Sequence, residues 1–290
     1  MTADGQHGRK NMETLKEKFL KEGYIIFKNE IPRENLLNLT STIDEWRKDS
    51  DNILSHLPPG RRGAIPNAIN NPHFKDMTAV LDLPNVYNFM RYLWQGDVVY
   101  GDHFDAHINF SSGWHEDNQM KHFKDGNQYQ GIDPFETYQA KLGDETIPEK
   151  YEMMRVAIYL QDHEDNPDGL SVRPGTHLHR FDKRYPNQDP GVDVKTSVGD
   201  VIVFDPRLVH RGTDYENSVL KSRGQNRYSI FFAFGKSKSI FSEMSIMGAI
   251  QRQVRQNKNE MYVLQDYVRS KLKEYNVLSI DEVGVYYKPY

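Results

Sequence analysis

The chain has 290 residues, enough for one large hydrophobic core or two modest ones, and a formal net charge of −4 spread over both signs. That balance lacks the basic stripe of a nucleic-acid binder, so no nucleic-acid partner is expected. There is no cysteine, which excludes disulfides, thiolate metal sites and a cysteine nucleophile together.

The opening "MTADGQHGRKNMETLKEKF" carries no apolar signal-peptide run, and no window approaches the roughly 18 apolar residues of a membrane span. A soluble, cytoplasmic protein without a membrane partner is the expectation. From about 12 to 95 the pattern is mainly helical. A short amphipathic helix stops at Gly23, a strand follows at "YIIF", Pro32 opens a longer helix, and an apolar helix lies at "VYNFMRYLW". From about 96 to 236 the texture changes to short strands punctuated by Gly, Pro, Asp and Asn, which predicts a β sandwich or barrel. The clearest strands are "VVYGDHFDAHINF", "MMRVAIYLQ", "GDVIVFD" and "RYSIFFAFG". A polar insertion at 118–152 has no strong period; a connection of that length is a lid or binding loop, or lacks structure. Residues 240–275 return to a helical pattern that either caps a pocket or pairs two subunits. The organisation expected is one domain over 1–290, mainly β with packed helices.

Three His-x-Asp triplets stand out: "HFD" at 103–105, "HED" at 115–117 and "HED" at 163–165. Two imidazoles and one carboxylate can hold non-haem iron(II) while leaving adjacent positions open. His-x-Asp suits this because side chains two apart on a strand share a face. The triplet at 163 lies in "LQDHEDNPDG", whose Asp, Asn, Pro and Gly are turn chemistry, so it reads as a solvated turn. Around 103, His103, Asp105, His107 and Asn109 share one face and Phe104, Ala106, Ile108 and Phe110 the other. That polar face lines a pocket or is hydrogen-bonded within the sheet. As a ligand set, three consecutive same-face residues spread over about 13 Å, awkward for one ion. The triplet at 115 follows Gly113 and Trp114 at a strand end, where access is open. His210, in "SVGDVIVFDPRLVHRGTD", is the natural third ligand, although alone it reads as a core histidine. Arg227 opens "RYSIFFAFG"; a guanidinium there suits bidentate capture of a carboxylate, or is a surface arginine at a strand start.

In this order and spacing, "FLKEGYIIFKNEIPRENL", "GWHEDN", "MRVAIYLQDHEDNPDGLSVRPGTH" and "VGDVIVFDPRLVHRG" resemble the phytanoyl-CoA dioxygenase family of iron(II)- and 2-oxoglutarate-dependent oxygenases. The resemblance covers most of the chain. It implies a double-stranded β-helix (jelly roll, cupin-like) with helices outside. It further implies that His115, Asp117 and His210 are the catalytic iron ligands and that Arg227 binds the distal carboxylate of 2-oxoglutarate. The segment at 163 then becomes the turn leading to Gly169, and His177 belongs to a shaping loop without metal. Two departures from the family pattern stand out. A long segment, "RGTDYENSVLKSRGQN", separates His210 from Arg227 and leaves Arg223 as a rival, and the family's serine two residues after the distal histidine is replaced by Gly212, with Thr213 offering the hydroxyl. His107 and Asn109 are placed in the cosubstrate or substrate pocket.

The activity implied consumes dioxygen and 2-oxoglutarate, forms succinate and carbon dioxide, and hydroxylates, desaturates or oxidatively cyclises a small molecule. Asp117 disfavours halogenation, because related halogenases carry a small residue there to admit chloride. Arg61, Arg62, Arg155, Arg173, Arg207 and Arg211 near the expected mouth, some of them solvated or paired with Asp and Glu, suggest a small substrate bearing a carboxylate or phosphate. The alternative is a non-catalytic β-barrel binding or scaffold protein, against which the complete set of four site residues speaks.

Overall fold

The computed structural model describes residues 3–54, 63–101, 103–117, 152–165, 168–178, 190–239, 242–243, 246 and 264–283. Among the described residues the α-helices are α1 (Ala3–Glu22), α2 (Leu39–Leu54), α3 (Pro84–Trp94), α4 (Val219–Ser222) and α5 (Asp266–Glu274). Ten strands are β1 (Tyr24–Phe27), β2 (Ala64–Pro66), β3 (Val98–Tyr100), β4 (Asp105–Ile108), β5 (Met153–Tyr159), β6 (Leu170–Val172), β7 (Val192–Asp193), β8 (Val201–Phe204), β9 (His210–Gly212) and β10 (Tyr228–Lys236).

The strands form two antiparallel sheets. The larger runs β1-β8-β5-β10-β4-β2, with β3 also on β10, and the smaller runs β7-β6-β9. Strand alternation explains how one sheet serves two interiors. Ile230, Phe232 and Phe234 of β10, Met154, Val156 and Ile158 of β5, and Val201 and Val203 of β8 join a core shared with Phe19 of α1, Phe89 of α3 and Leu272 of α5. The residues between them face the smaller sheet: Ala157 and Tyr159 of β5 and Ile202 and Phe204 of β8 pack with Leu170 and Val172 of β6. Both faces are covered, so β5 and β10 read as nearly continuous apolar runs and not as clean alternation. This is the jelly roll expected, with the polar residues of the second face collected between the sheets.

Some boundaries differ from the sequence reading. Helix α1 starts at Ala3 rather than near residue 12. It ends at Gly23, whose φ of +84° and lack of a Cβ let the chain turn against His177; a Cβ would sit 2.6 Å from the His177 Nδ1. The N-terminal part supplies the strand expected at "YIIF", β1, to β8, and adds β2, which was not expected, on β4. After α5 the chain returns to the sheet edge, where the Leu278 N–H donates to Val98 O and the Tyr100 N–H to Leu278 O. All of the 118–152 insertion except Glu152, most of 240–263, and Arg61 and Arg62 lie outside the described residues.

Candidate metal centre and cosubstrate pocket

Segment 113–117 meets the chain around β9 through backbone pairing. The His115 N–H donates to His210 O at 2.9 Å, the His210 N–H to His115 O at 2.8 Å, and the Asp117 N–H to Pro206 O at 2.8 Å. This bridge brings together side chains far apart in sequence: the two imidazole centroids are 4.3 Å apart. Nε2 of His115 lies 3.7 Å from Asp117 Oδ1, and Nε2 of His210 lies 3.8 Å from Asp117 Oδ2. Ligand atoms of the three residues all fall within 4.8 Å of one another, and no other such group of three or more occurs among the described residues. The triplets at 103 and 163 do not build a second one.

Each imidazole is oriented through its other nitrogen. Nδ1 of His115 lies 2.8 Å from Gly113 O, and Nδ1 of His210 lies 2.9 Å from Leu208 O. A carbonyl accepts only, so Nδ1 carries the proton and Nε2 presents its lone pair. Burial holds the His210 pKa down to about 4, against the opposing pull of Asp117, so the ring is neutral at neutral pH. Burial alone would raise the Asp117 pKa; the positive charge of Arg155, followed by the three histidines around it, outweighs this and holds the group well below the usual carboxylate range. Two imidazoles whose Nδ1 protons are turned onto carbonyls, with one ionised carboxylate, are a donor set that fits non-haem iron(II).

Arg155 was expected only as one of several arginines near the mouth. It is 4% exposed on β5, with Nε donating to Asp117 Oδ2 at 2.7 Å and Nη2 lying 2.9 Å from His103 Nε2. His103 in turn lies 3.4 Å from Asp105 Oδ2. A charged residue in the apolar run "MMRVAIYLQ" was the available signal. Its partner could not be read, because 38 positions separate it from Asp117.

Arg227 is 2% exposed. Nη1 donates to Asp168 O at 2.7 Å and Thr213 O at 2.8 Å, and Nη2 to Phe110 O at 2.6 Å. Its backbone N–H donates to Asn109 Oδ1 at 2.7 Å, while Asn109 Nδ2 donates to Asn226 Oδ1 at 2.8 Å. Asn109, at a φ of +54°, therefore fixes the start of β10. The Thr213 hydroxyl donates to Gly169 O at 2.9 Å, so it is the carbonyl of Thr213 that meets Arg227. Arg223 is exposed. The His107 ring packs on Phe110 at 4.6 Å and Phe231 at 5.2 Å. Tyr159, aligned with Ser229 across the sheet, has its phenol pushed up to about 12 by burial, with Arg227 opposing.

The triplet at 163 requires a correction. Its backbone is a bend, but His163 is 1% exposed and not solvated. The His163 N–H donates to Thr196 O at 2.6 Å, and the ring meets Tyr159 edge-on at 4.9 Å. Gly169 makes room, since a Cβ there would sit 3.3 Å from the imidazole Cδ2. Burial, then the charge of Arg227, holds the His163 pKa down to about 4. Of the remaining arginines, Arg207 is paired with Asp205 through Nε at 2.9 Å and Nη2 at 2.6 Å. Arg173 and Arg211 lie over the Trp114 ring, 4.3 and 4.7 Å from its centroid. His177 Nε2 lies 3.1 Å from Leu20 O, against α1.

A jelly roll whose inner face gathers two imidazoles and a carboxylate defines the class: a non-haem iron oxygenase. The phytanoyl-CoA dioxygenase (PhyH) family profile matches residues 19–221, well over half of the 290 residues, and the chain belongs to that family. It is accordingly a 2-oxoglutarate-dependent enzyme of the oxygenase type with iron(II) and 2-oxoglutarate as cofactors, acting on a small molecule with dioxygen. Among solved structures, AviO1 from Streptomyces viridochromogenes Tue57 is similar at a TM-score of 0.54 and 16% identity, covering 79% of this chain and 96% of that one. EvdMO1 is similar at a TM-score of 0.51 and 17% identity, covering 78% of this chain and 50% of that one. No curated protein matches the chain. No described helix is long and apolar enough to cross a membrane.

Proposed function

We propose that the chain is a single oxygenase domain that hydroxylates, desaturates or oxidatively cyclises a small molecule bearing a carboxylate or phosphate. In this reading His115, Asp117 and His210 hold the iron and Arg227 binds the distal carboxylate of 2-oxoglutarate. The observation that carries it is the ionised Asp117 between two imidazoles whose Nε2 atoms are the unprotonated ones. Bound iron(II) and 2-oxoglutarate supply the oxidising chemistry, with succinate and carbon dioxide as co-products.

The chain's own residues prepare this chemistry. Gly113 O and Leu208 O hold the imidazole protons away from the ion. Arg155 keeps the Asp117 carboxylate ionised and fixed in place. Arg227 is immobilised by three carbonyls before any ligand arrives, so little ordering cost falls on cosubstrate binding. Its burial beside the roll interior, against the exposure of Arg223, supports it as the anchor. Thr213 and Asn109 serve that anchor, through a carbonyl and a backbone contact, and His107 lines the pocket with Phe110 and Phe231. The carboxylate at Asp117 favours carbon oxidation over halogenation. An anionic substrate is supported by Arg173 and Arg211 on Trp114, the residue preceding His115; Arg207, already matched by Asp205, adds nothing to it. The reading also takes the protein as soluble and cytoplasmic, without nucleic-acid or membrane partners.

The test is anaerobic addition of iron(II) and 2-oxoglutarate, followed by exposure to air. A weak visible charge-transfer band and succinate formation that is stimulated by anionic candidate substrates are expected. A chain giving neither band nor succinate would be the non-catalytic scaffold instead. Equal stimulation by neutral analogues would remove the anionic substrate.

A further inference from the structure

The geometry points to Arg155 as a cosubstrate-binding residue, whose buried Nη1 donates to the metal-binding carboxylate of 2-oxoglutarate. This rests on the proposed iron site at His115, Asp117 and His210.

The guanidinium is planar, and two of its nitrogens are already committed. Nε donates to Asp117 Oδ2 at 2.7 Å, and Nη2 lies 2.9 Å from His103 Nε2. These two contacts on different residues fix both the plane and the rotation of the group. The third nitrogen, Nη1, is buried and has no hydrogen-bond partner among the described residues. Its aligned neighbours, Phe204 on β8 and Ala233 on β10, carry no acceptor side chain. A buried charged donor left unpaired is rare in folded proteins and marks a missing acceptor. For a guanidinium the strongest acceptor is an anionic oxygen.

The charges favour the same partner. A divalent ion on the three ligands, together with the guanidinium, would face two carboxylates, Asp117 and Asp105, leaving one formal positive charge for an incoming anion. The group that must reach the ion beside Asp117 in this enzyme class is the keto-acid end of 2-oxoglutarate. Arg155 would thus hold two carboxylates in fixed relation, one from the protein through Nε and one from the cosubstrate through Nη1. The distal end of the same molecule would go to Arg227, so the two arginines divide the cosubstrate between them.

The test is calorimetric titration under anaerobic conditions, first with iron(II) and then with 2-oxoglutarate, on wild type, Arg155→Lys and Arg155→Gln, with circular dichroism to verify folding. The expected result is that the iron-loaded variants bind 2-oxoglutarate at least about tenfold more weakly, as for loss of one charge-assisted hydrogen bond. Their charge-transfer band should shift as well, which a purely structural role would not produce. Iron-loaded variants with 2-oxoglutarate affinity and band equal to wild type would overturn the inference while leaving the iron site standing. Wild type that binds no iron would instead sink the site itself. If the variants fail to fold or load iron, a crystal structure of wild type with manganese(II) and 2-oxoglutarate decides the matter. Nη1 on a cosubstrate carboxylate oxygen supports the proposal; Nη1 on water or a protein oxygen alone overturns it.

Discussion

Two regions of this molecule carry the same three letters, and the fold treats them differently. At 115–117 the segment pairs by its backbone with 206–210, so His115 and Asp117 turn onto a common point with His210. At 163–165 the segment is a bend at the end of β5. His163 is tucked against Tyr159 near Arg227, Glu164 accepts from Lys28 at 2.8 Å, and Asp165 is exposed. Three residues that converge in one place diverge in the other. The difference lies in what the backbone pairs with, since side chains of a bend have no shared face to be held on.

The largest effect separating the regions should be on metal affinity. His210→Ala or Asp117→Asn is expected to weaken iron binding by more than about 100-fold, beyond the 10–100-fold usual for residues that only support a ligand. His163→Ala should leave it within about twofold. Calorimetry of the three variants decides this, and equal losses would erase the distinction drawn between the triplets.

Arg227→Met comes next. It strands the three carbonyls that the guanidinium satisfies and is expected to cost about 3 kcal/mol, in the range for a broken buried charge network. The same variant should raise the apparent KM for 2-oxoglutarate, whereas Arg223→Met should change neither quantity. Urea unfolding and succinate assays would show it, and an unchanged Arg227→Met would reopen the case for Arg223.

Acid stability tests the two buried histidines together. His163 and His210 both ionise near pH 4 in the folded chain, against about 6.5 when unfolded. As the pH falls through this window the unfolded chain takes up protons first, so stability present above pH 6.5 is lost toward pH 4. Each site contributes at most about 3 kcal/mol of that loss. His163→Leu is expected to make the decline of metal-free protein between pH 6.5 and 4 shallower by up to that amount; an unaltered slope would show that His163 is accessible to protons when folded. The smallest effect is at Trp114. Trp114→Leu removes two guanidinium contacts and should lower stability by about 1 kcal/mol through them, read as a shift of the unfolding midpoint.

Much of the fold could be read before the structure. The runs "VIVF", "MMRVAIY" and "YSIFFAFG" are strands because both their faces are apolar, and the Gly, Asp and Pro between them leave little choice of turn. Strand β1 was legible as "YIIF", but β2 was not, and neither strand's pairing partner could be read. Three residues long, β2 carries little pattern of its own and exists as a strand because β4 offers an edge to pair with. His115, Asp117, His210 and Arg227 could be singled out by residue type and order. Their mutual distances could not, and neither could the inward turn of His163, which depends on the space left by Gly169.

By itself the sequence showed short strands of a β sandwich or barrel, a His-x-Asp segment, a distal histidine and an arginine-led strand, which are local patterns of period and residue type; their order, through its resemblance to the family, pointed to the class of protein. Only the tertiary structure brought ligand atoms of His115, Asp117 and His210 within 4.8 Å of one another, and laid Arg155 on Asp117 with one nitrogen to spare. Those facts join residues 38 and more positions apart, and a linear pattern carries no distance between such residues until backbone pairing closes the loop between them.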